Sequence, residues 1–153
     1  NKKTVSVQKS GSFDHTTWAL VKTKKGGNRF YVVNIDIQDV PEAERKAALN
    51  AILDGLAEVN KDSLPVVITG GFYLTPSDPA LADVEAKMSN ARKTAAKTDN
   101  TGTYTNWGKT SQILDHIYYS GFSACPEYQT VVKRYQDRKF VSDHYPVSAR
   151  LIF

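Results

Sequence analysis

The sequence predicts one α/β domain of the α+β kind, and three observations carry that expectation. Runs rich in β-branched and aromatic residues over 16–23 and 29–37 flank the turn-forming Lys24-Lys25-Gly26-Gly27-Asn28, the pattern of a hairpin. Leu49, Ile52, Leu53, Leu56 and Val59 recur at helical spacing behind Pro41-Glu42-Ala43-Glu44, which puts a proline and two acids in a first turn. Pro65-Val66-Val67-Ile68-Thr69 is a short, continuous apolar run stopped by Gly70-Gly71, as expected of a strand covered on both faces.

Taken in order, these signals give a hairpin over 16–37, a helix from 41 to about 60, and a strand over 65–69 with a loop over 70–76 at its end. Asp78 is a good N-cap and Pro79 a good first helical residue, so a second helix is predicted over 79–88. Residues 89–111 are rich in Lys, Thr, Asn and Gly with Tyr104 and Trp107 embedded, which reads as a long surface loop with aromatic anchors. Strands over 113–119, 127–134 and 145–153 follow. No repeat or internal linker is present, so residues 1–153 form a single domain.

Composition limits the function classes. A chain of 153 residues with 41% hydrophobic content supports a real core and is neither disordered nor fibrous. No apolar run is long enough to span a bilayer, and the segment starting at Asn1 lacks the apolar stretch of a signal peptide, so a soluble protein is expected. Its compartment stays open, secretion included. The net charge of +4 permits an anionic partner without demanding one: Lys2, Lys3, Lys9, Lys22, Lys24 and Lys25 are scattered, and Lys133-Arg134 with Arg138-Lys139 form one cluster. The single cysteine, Cys125, rules out an internal disulfide and reads as a small hydrophobe. His15 and His116 read as surface or packing residues.

Four motifs carry the chemistry: Asn34-Ile35-Asp36, Thr69-Gly70-Gly71-Phe72-Tyr73, Leu114-Asp115-His116 and Ser142-Asp143-His144-Tyr145-Pro146-Val147. In this order the chain resembles the C-terminal half of the endonuclease/exonuclease/phosphatase family, the deoxyribonuclease I-like hydrolases. The Ser-Asp-His motif matches without alteration, Ile113-Leu114-Asp115-His116-Ile117-Tyr118 stands for the family's Ile-Asp-Tyr-Ile, and Gly102-Thr103-Tyr104 before Trp107 agrees as well. The resemblance implies the second half of a four-layer α/β sandwich, a mostly antiparallel sheet with two helices on one face. Such a half leaves the inner face of its sheet open, so that face is expected to be covered by an N-terminal half or by a second copy of the chain.

The resemblance also implies roles. His144 would contact a scissile phosphate, Asp115 would orient it, and Asp143 would lie beside Mg²⁺, whose hard charge suits carboxylate oxygen. Asn34, Tyr104 and Trp107 are the candidate ligand-binding positions. Three positions depart from the pattern: Gly71 replaces the acid thought to activate water, Tyr73 replaces the amide that orients phosphate, and Asp36 replaces an imidazole, reversing its charge. Losing one acid–base group costs on the order of 10²–10⁴ in rate, so the expectation is a non-catalytic family member that binds a phosphorylated or sugar ligand or a protein, with Mg²⁺ weak or absent. An active Mg²⁺-dependent hydrolase or nuclease completed by a missing half, with Asp36, Asp115 and Asp143 as a new carboxylate cluster, is the enzyme alternative. A module binding polyanions, nucleic acid among them, or a protein through its basic surface is the third reading.

Overall fold

The computed structural model describes residues 5–133 and 136–153. Of the basic positions named above, Lys2, Lys3 and Arg134 lie outside the described residues, as does the end of the strand expected over 127–134. Six strands form the main sheet in the order β1-β2-β3-β4-β6-β5, and two more form a separate ribbon, β7-β8. The strands are β1 (Val5–Phe13), β2 (Thr16–Thr23), β3 (Arg29–Asp36), β4 (Val66–Gly71), β5 (Ser89–Asn90), β6 (Asp115–Ser120), β7 (Ala124–Thr130) and β8 (Val147–Ile152). All neighbours pair antiparallel except β3 and β4, which are parallel and joined through the helix α1 (Arg45–Val59).

One face of the sheet is covered by α1. Tyr31, Val33 and Ile35 of β3, Val66 and Ile68 of β4 and Tyr118 of β6 pack with Leu49, Ile52, Leu53 and Leu56 of α1 in one buried cluster. Each such side chain contributes about 1.5–3 kcal/mol by leaving water. The Tyr31 hydroxyl donates to the Val59 carbonyl at 2.8 Å, pinning the end of α1 over the sheet. Gly70, at φ +132°, lets β4 lie against β3, since a side chain there would collide with the Ile35 carbonyl.

The other face carries Val67, Ile117 and Tyr119, onto which the β7–β8 ribbon packs with Cys125 and Tyr128. The ribbon therefore covers β4 and β6, and the expectation of a wholly open inner face is corrected. The face stays open toward β1–β3, where Val7 is 62% exposed and Phe153 44%. Phe30, Phe122 and Phe153 close the seam between sheet and ribbon, with ring centroids 4.7–5.8 Å apart.

Three local expectations are also corrected, and one strand had no expectation. The helix over 79–88 is a 3-10 turn (Pro79–Leu81), capped by Asp78 at the Ala80 amide, followed by a short α2 (Ala82–Glu85). The helix stops there because Ser89 and Asn90 pair with Tyr119 and Tyr118 of β6. The loop over 89–111 accordingly begins with β5 and with α3 (Ala91–Thr94), whose first amides, Arg92 and Lys93, donate to Asn90 Oδ1. The strand β1, unannounced by its Ser, Gln, Lys and Gly content, pairs along β2 with a bulge between Val7 and Lys9. β7 starts at Ala124 and ends at Thr130, where the Thr130 amide turns to Asp99 Oδ2 at 2.7 Å.

Candidate functional site

The parallel β3–β4 pair and the antiparallel β4–β6 pair bring Asp36, Gly71 and Asp115 into one register row at the ends of three strands, on the face away from α1. The buried hydroxyl of Thr103 accepts from the Leu114 and Asp115 amides, both at 3.0 Å, and so fixes the start of β6. His144 arrives from the segment before β8. That segment is tied to residues 103–105 by Tyr145 N to the Thr103 carbonyl, 2.7 Å, and by the Thr105 amide and hydroxyl, which both donate to the Asp143 carbonyl. The result is a contact of 2.7 Å between His144 Nδ1 and Asp115 Oδ2. A carboxylate accepts, so Nδ1 carries the proton in that bond and Nε2 points away from Asp115.

What meets Nε2 is Tyr73. Its hydroxyl lies 3.5 Å from His144 Nε2 and 3.1 Å from Gln38 Oε1, and its ring centroid lies 5.7 Å from the imidazole. The phenol reaches this position because the chain at Tyr73 is left-handed, φ +53°. Arg45 holds that conformation from α1: its Nη1 donates to the Tyr73 carbonyl at 2.6 Å and its Nε to the Val40 carbonyl at 3.1 Å. The Phe72 and Tyr73 amides both donate to the Leu114 carbonyl, at 3.0 and 3.1 Å. Burial, then the carboxylates of Asp36, Asp115 and Asp143, push the Tyr73 hydroxyl up to about 12, so it is a proton-bearing donor at neutral pH.

Gly71 and Tyr73 are physically coupled. A Cβ at residue 71 would stand 2.7 Å from the Tyr73 ring, so the phenol lies where a side chain at 71 would begin. The Tyr104 ring centroid lies 4.8 Å from that of His144, while Trp107 stands 56% exposed at φ +58°. Asn34 and Asp36 are exposed at the end of β3; Asp143 is half-buried, with Oδ1 accepting from Ser142 Oγ at 3.3 Å. His116 is 2% exposed, bonded through Nε2 to the Leu74 carbonyl at 2.8 Å, and burial holds it below the ordinary histidine range. His15 is exposed and Cys125 buried, with burial pushing its thiol up. Thr103, Arg45 and Gln38 had no role in the sequence reading, although Thr103 lies in one of its quoted motifs.

Among the described residues no group of three or more His, Cys, Asp or Glu side chains converges as a cation shell requires. Asp115 is committed to His144, and the middle position of its row is a glycine. The proposed cluster of Asp36, Asp115 and Asp143 is therefore not assembled, and Asp143 alone does not fit an Mg²⁺ site.

Comparison with known proteins agrees with the fold. The Endonuclease/Exonuclease/phosphatase family model matches residues 2–144, and the chain belongs to that family. No curated protein matches. Among solved structures, a mannosyl-6-phosphatase from Bacteroides thetaiotaomicron superposes with TM-score 0.85 at 19% identity, over 98% of this chain and 68% of that one. A conserved protein of unknown function from Enterococcus faecalis gives 0.83 at 19% identity, over 97% and 67%, and truncated Caenorhabditis elegans TDP2 gives 0.74 at 20%, over 99% and 68%. The chain thus spans about two thirds of the length of these structures. Among the described residues no helix is long and apolar enough to cross a membrane.

Proposed function

We infer that this chain is a non-catalytic member of the phosphoesterase family, a binding or interaction domain whose hydrolytic centre has been filled by its own side chain. The observation that carries the reading is the seat of Tyr73, which lies over a glycine and against His144 Nε2. By resemblance His144 is the group that would meet a phosphoryl oxygen, and here the phenol stands in that place. Gly71 offers no base to activate water, and Asp36 and Asp143 add negative charge where a phosphate would have to sit. The retained Asp115–His144 pair then serves to hold the 142–146 segment against β6.

The enzyme alternative makes the chain part of an Mg²⁺-dependent phosphoester hydrolase, its missing groups supplied by an N-terminal half or a partner chain. A sugar phosphatase among the structural neighbours lends it a substrate class, at the level of fold alone. The cations of Arg29, Lys46, Lys61, Lys93 and Lys97, none of them among the basic positions of the polyanion reading, are each paired with a carboxylate. Hydrolysis of a generic phosphodiester and a short DNA with Mg²⁺ or Mn²⁺, beside Asp143→Ala and His144→Ala, separates these readings. We expect no turnover above the two variants; turnover that both variants abolish would establish the enzyme.

A further inference from the structure

The turn that carries Trp107 is built against the preferences of its own residues. Asn106 and Trp107 are both left-handed, at φ +43° and +58°, a backbone that a bulky aromatic disfavours, and Gly108 follows at +90°. The Gly108 and Thr110 amides donate to the Thr105 carbonyl at 2.9 and 3.0 Å, and buried Thr105 is tied in turn to the Asp143 carbonyl. A firmly rooted turn thus holds the indole in water, with no ring contact or hydrogen bond among the described residues.

Apolar and basic side chains gather beside it. A Cβ on Gly108 would stand 2.8 Å from the Phe140 ring, so the turn abuts the 138–141 segment, and Phe140 stacks on Tyr145 with centroids 5.9 Å apart. The Val131 amide donates to the Pro146 carbonyl at 2.7 Å, which brings Val132 to the same end of the molecule. Val132 and Val141 are 58% and 56% exposed, so three of the six large apolar side chains exposed among the described residues lie in these neighbouring loops. Lys109, Arg138 and Lys139 are exposed and form no ion pair among the described residues; Lys139 Nζ lies 5.1 Å from the Phe140 ring centroid. Asp137 is the one acid in 105–110 and 136–141, and Asp143 beyond them is half-buried.

Exposed aliphatic and indole side chains interleaved with cations complement a surface that is anionic outside and apolar beneath. A nucleic acid would engage the cations and the indole but give Val132 and Val141 nothing to bury against. We propose that this end of the molecule docks peripherally on an anionic lipid surface, with Trp107, Val132 and Val141 entering the boundary between headgroups and acyl chains and Lys109, Arg138 and Lys139 meeting the headgroup charges. The proposal names the partner of the interaction domain inferred above and rests on that reading.

The test is sedimentation of the 153-residue chain with vesicles of phosphatidylcholine alone or mixed equally with phosphatidylserine, with tryptophan emission read in parallel. Saturable binding and a blue shift are expected on the mixed vesicles and not on phosphatidylcholine. Each cation adds about fivefold in affinity near an anionic surface. Raising salt from about 0.1 to about 1 M, which shortens the screening length from about 10 to about 3 Å, therefore releases the chain. Trp107→Asn, whose side chain tolerates the left-handed turn, weakens binding about tenfold and removes the blue shift, since Trp18 is packed against Tyr31. Lys139→Glu weakens binding by on the order of tenfold as well. Absence of binding to the mixed vesicles, equal binding to phosphatidylcholine alone, or full binding by Trp107→Asn overturns the proposal, the last by assigning the contact to the open sheet face. Displacement of the chain from mixed vesicles by single-stranded DNA at equal charge would make the patch a polyanion site and overturn it too. Phosphodiester turnover would instead overturn the non-catalytic reading, and vesicle binding would still be judged by the two substitutions.

Discussion

At the scale of single residues, the departures from the family pattern are not independent. Glycine at 71 makes room for the ring at 73, and the ring meets the nitrogen that a phosphate would otherwise use. Gly71→Asp is therefore expected to cost on the order of 1–3 kcal/mol, because the new side chain overpacks against the phenol. Tyr73→Asn should recover part of that loss in the double variant, a coupling read from denaturant unfolding of all four proteins. Simple additivity would show that the ring is not seated over Gly71. The carboxylates around the phenol give a second expectation. With its ionisation pushed up to about 12, Tyr73 should keep the ring-carbon resonance of a neutral phenol through pH 10, where an unperturbed tyrosine is half ionised. Asp36→Asn should move that ionisation down.

At the scale of elements, the site is held by groups that join distant segments. Arg45 on α1 reaches the carbonyls of Val40 and Tyr73, and Arg45→Met is expected to cost about 1.5–3 kcal/mol, the value of hydrogen bonds from a charged donor. Hydrogen exchange should speed up at the Phe72 and Tyr73 amides in that variant; unchanged protection would assign the loop's conformation to the Leu114 carbonyl alone. This distribution also explains what the sequence made legible. The strands β2 and β3 announce themselves by β-branched and aromatic content around a turn, β4 by a continuous apolar run, and α1 by the helical period that burial imposes on its apolar residues. The strand β1 does not, since it is an edge strand held by backbone pairing with mostly exposed side chains. β5 and α3 are too short to show a period. Within the site, Asp115 and His144 stand in recognisable motifs, whereas Arg45 and Gln38 act across 28 and 35 residues of sequence through lone polar contacts and leave no local pattern.

At the scale of the whole molecule, buried histidine and open sheet face set the solution behaviour. His116 is neutral in the core and its folded value lies below the ordinary one, so the unfolded chain takes up the proton first as pH falls. Stability from this residue is complete above about pH 6.5 and is lost as pH drops below it, and His116→Gln should flatten that dependence in urea unfolding between pH 7 and 5. The face left open beyond the β7–β8 ribbon, marked by Val7 and Phe153, is expected to be covered in solution. Light scattering should give the isolated chain a mass above its own 17.0 kDa; a strictly monomeric chain at high concentration would show that the face is tolerated in water.

The most direct test of the filled centre is the ¹⁵N spectrum of the His144 imidazole while inorganic phosphate and Mg²⁺ are added to the wild-type chain and to Tyr73→Asn. The account predicts that both wild-type ring nitrogens stay in place, because the Tyr73 phenol already occupies the side of Nε2 on which phosphate would have to bind. A saturable phosphate-induced shift in the wild-type imidazole, equal to that in Tyr73→Asn, would contradict it.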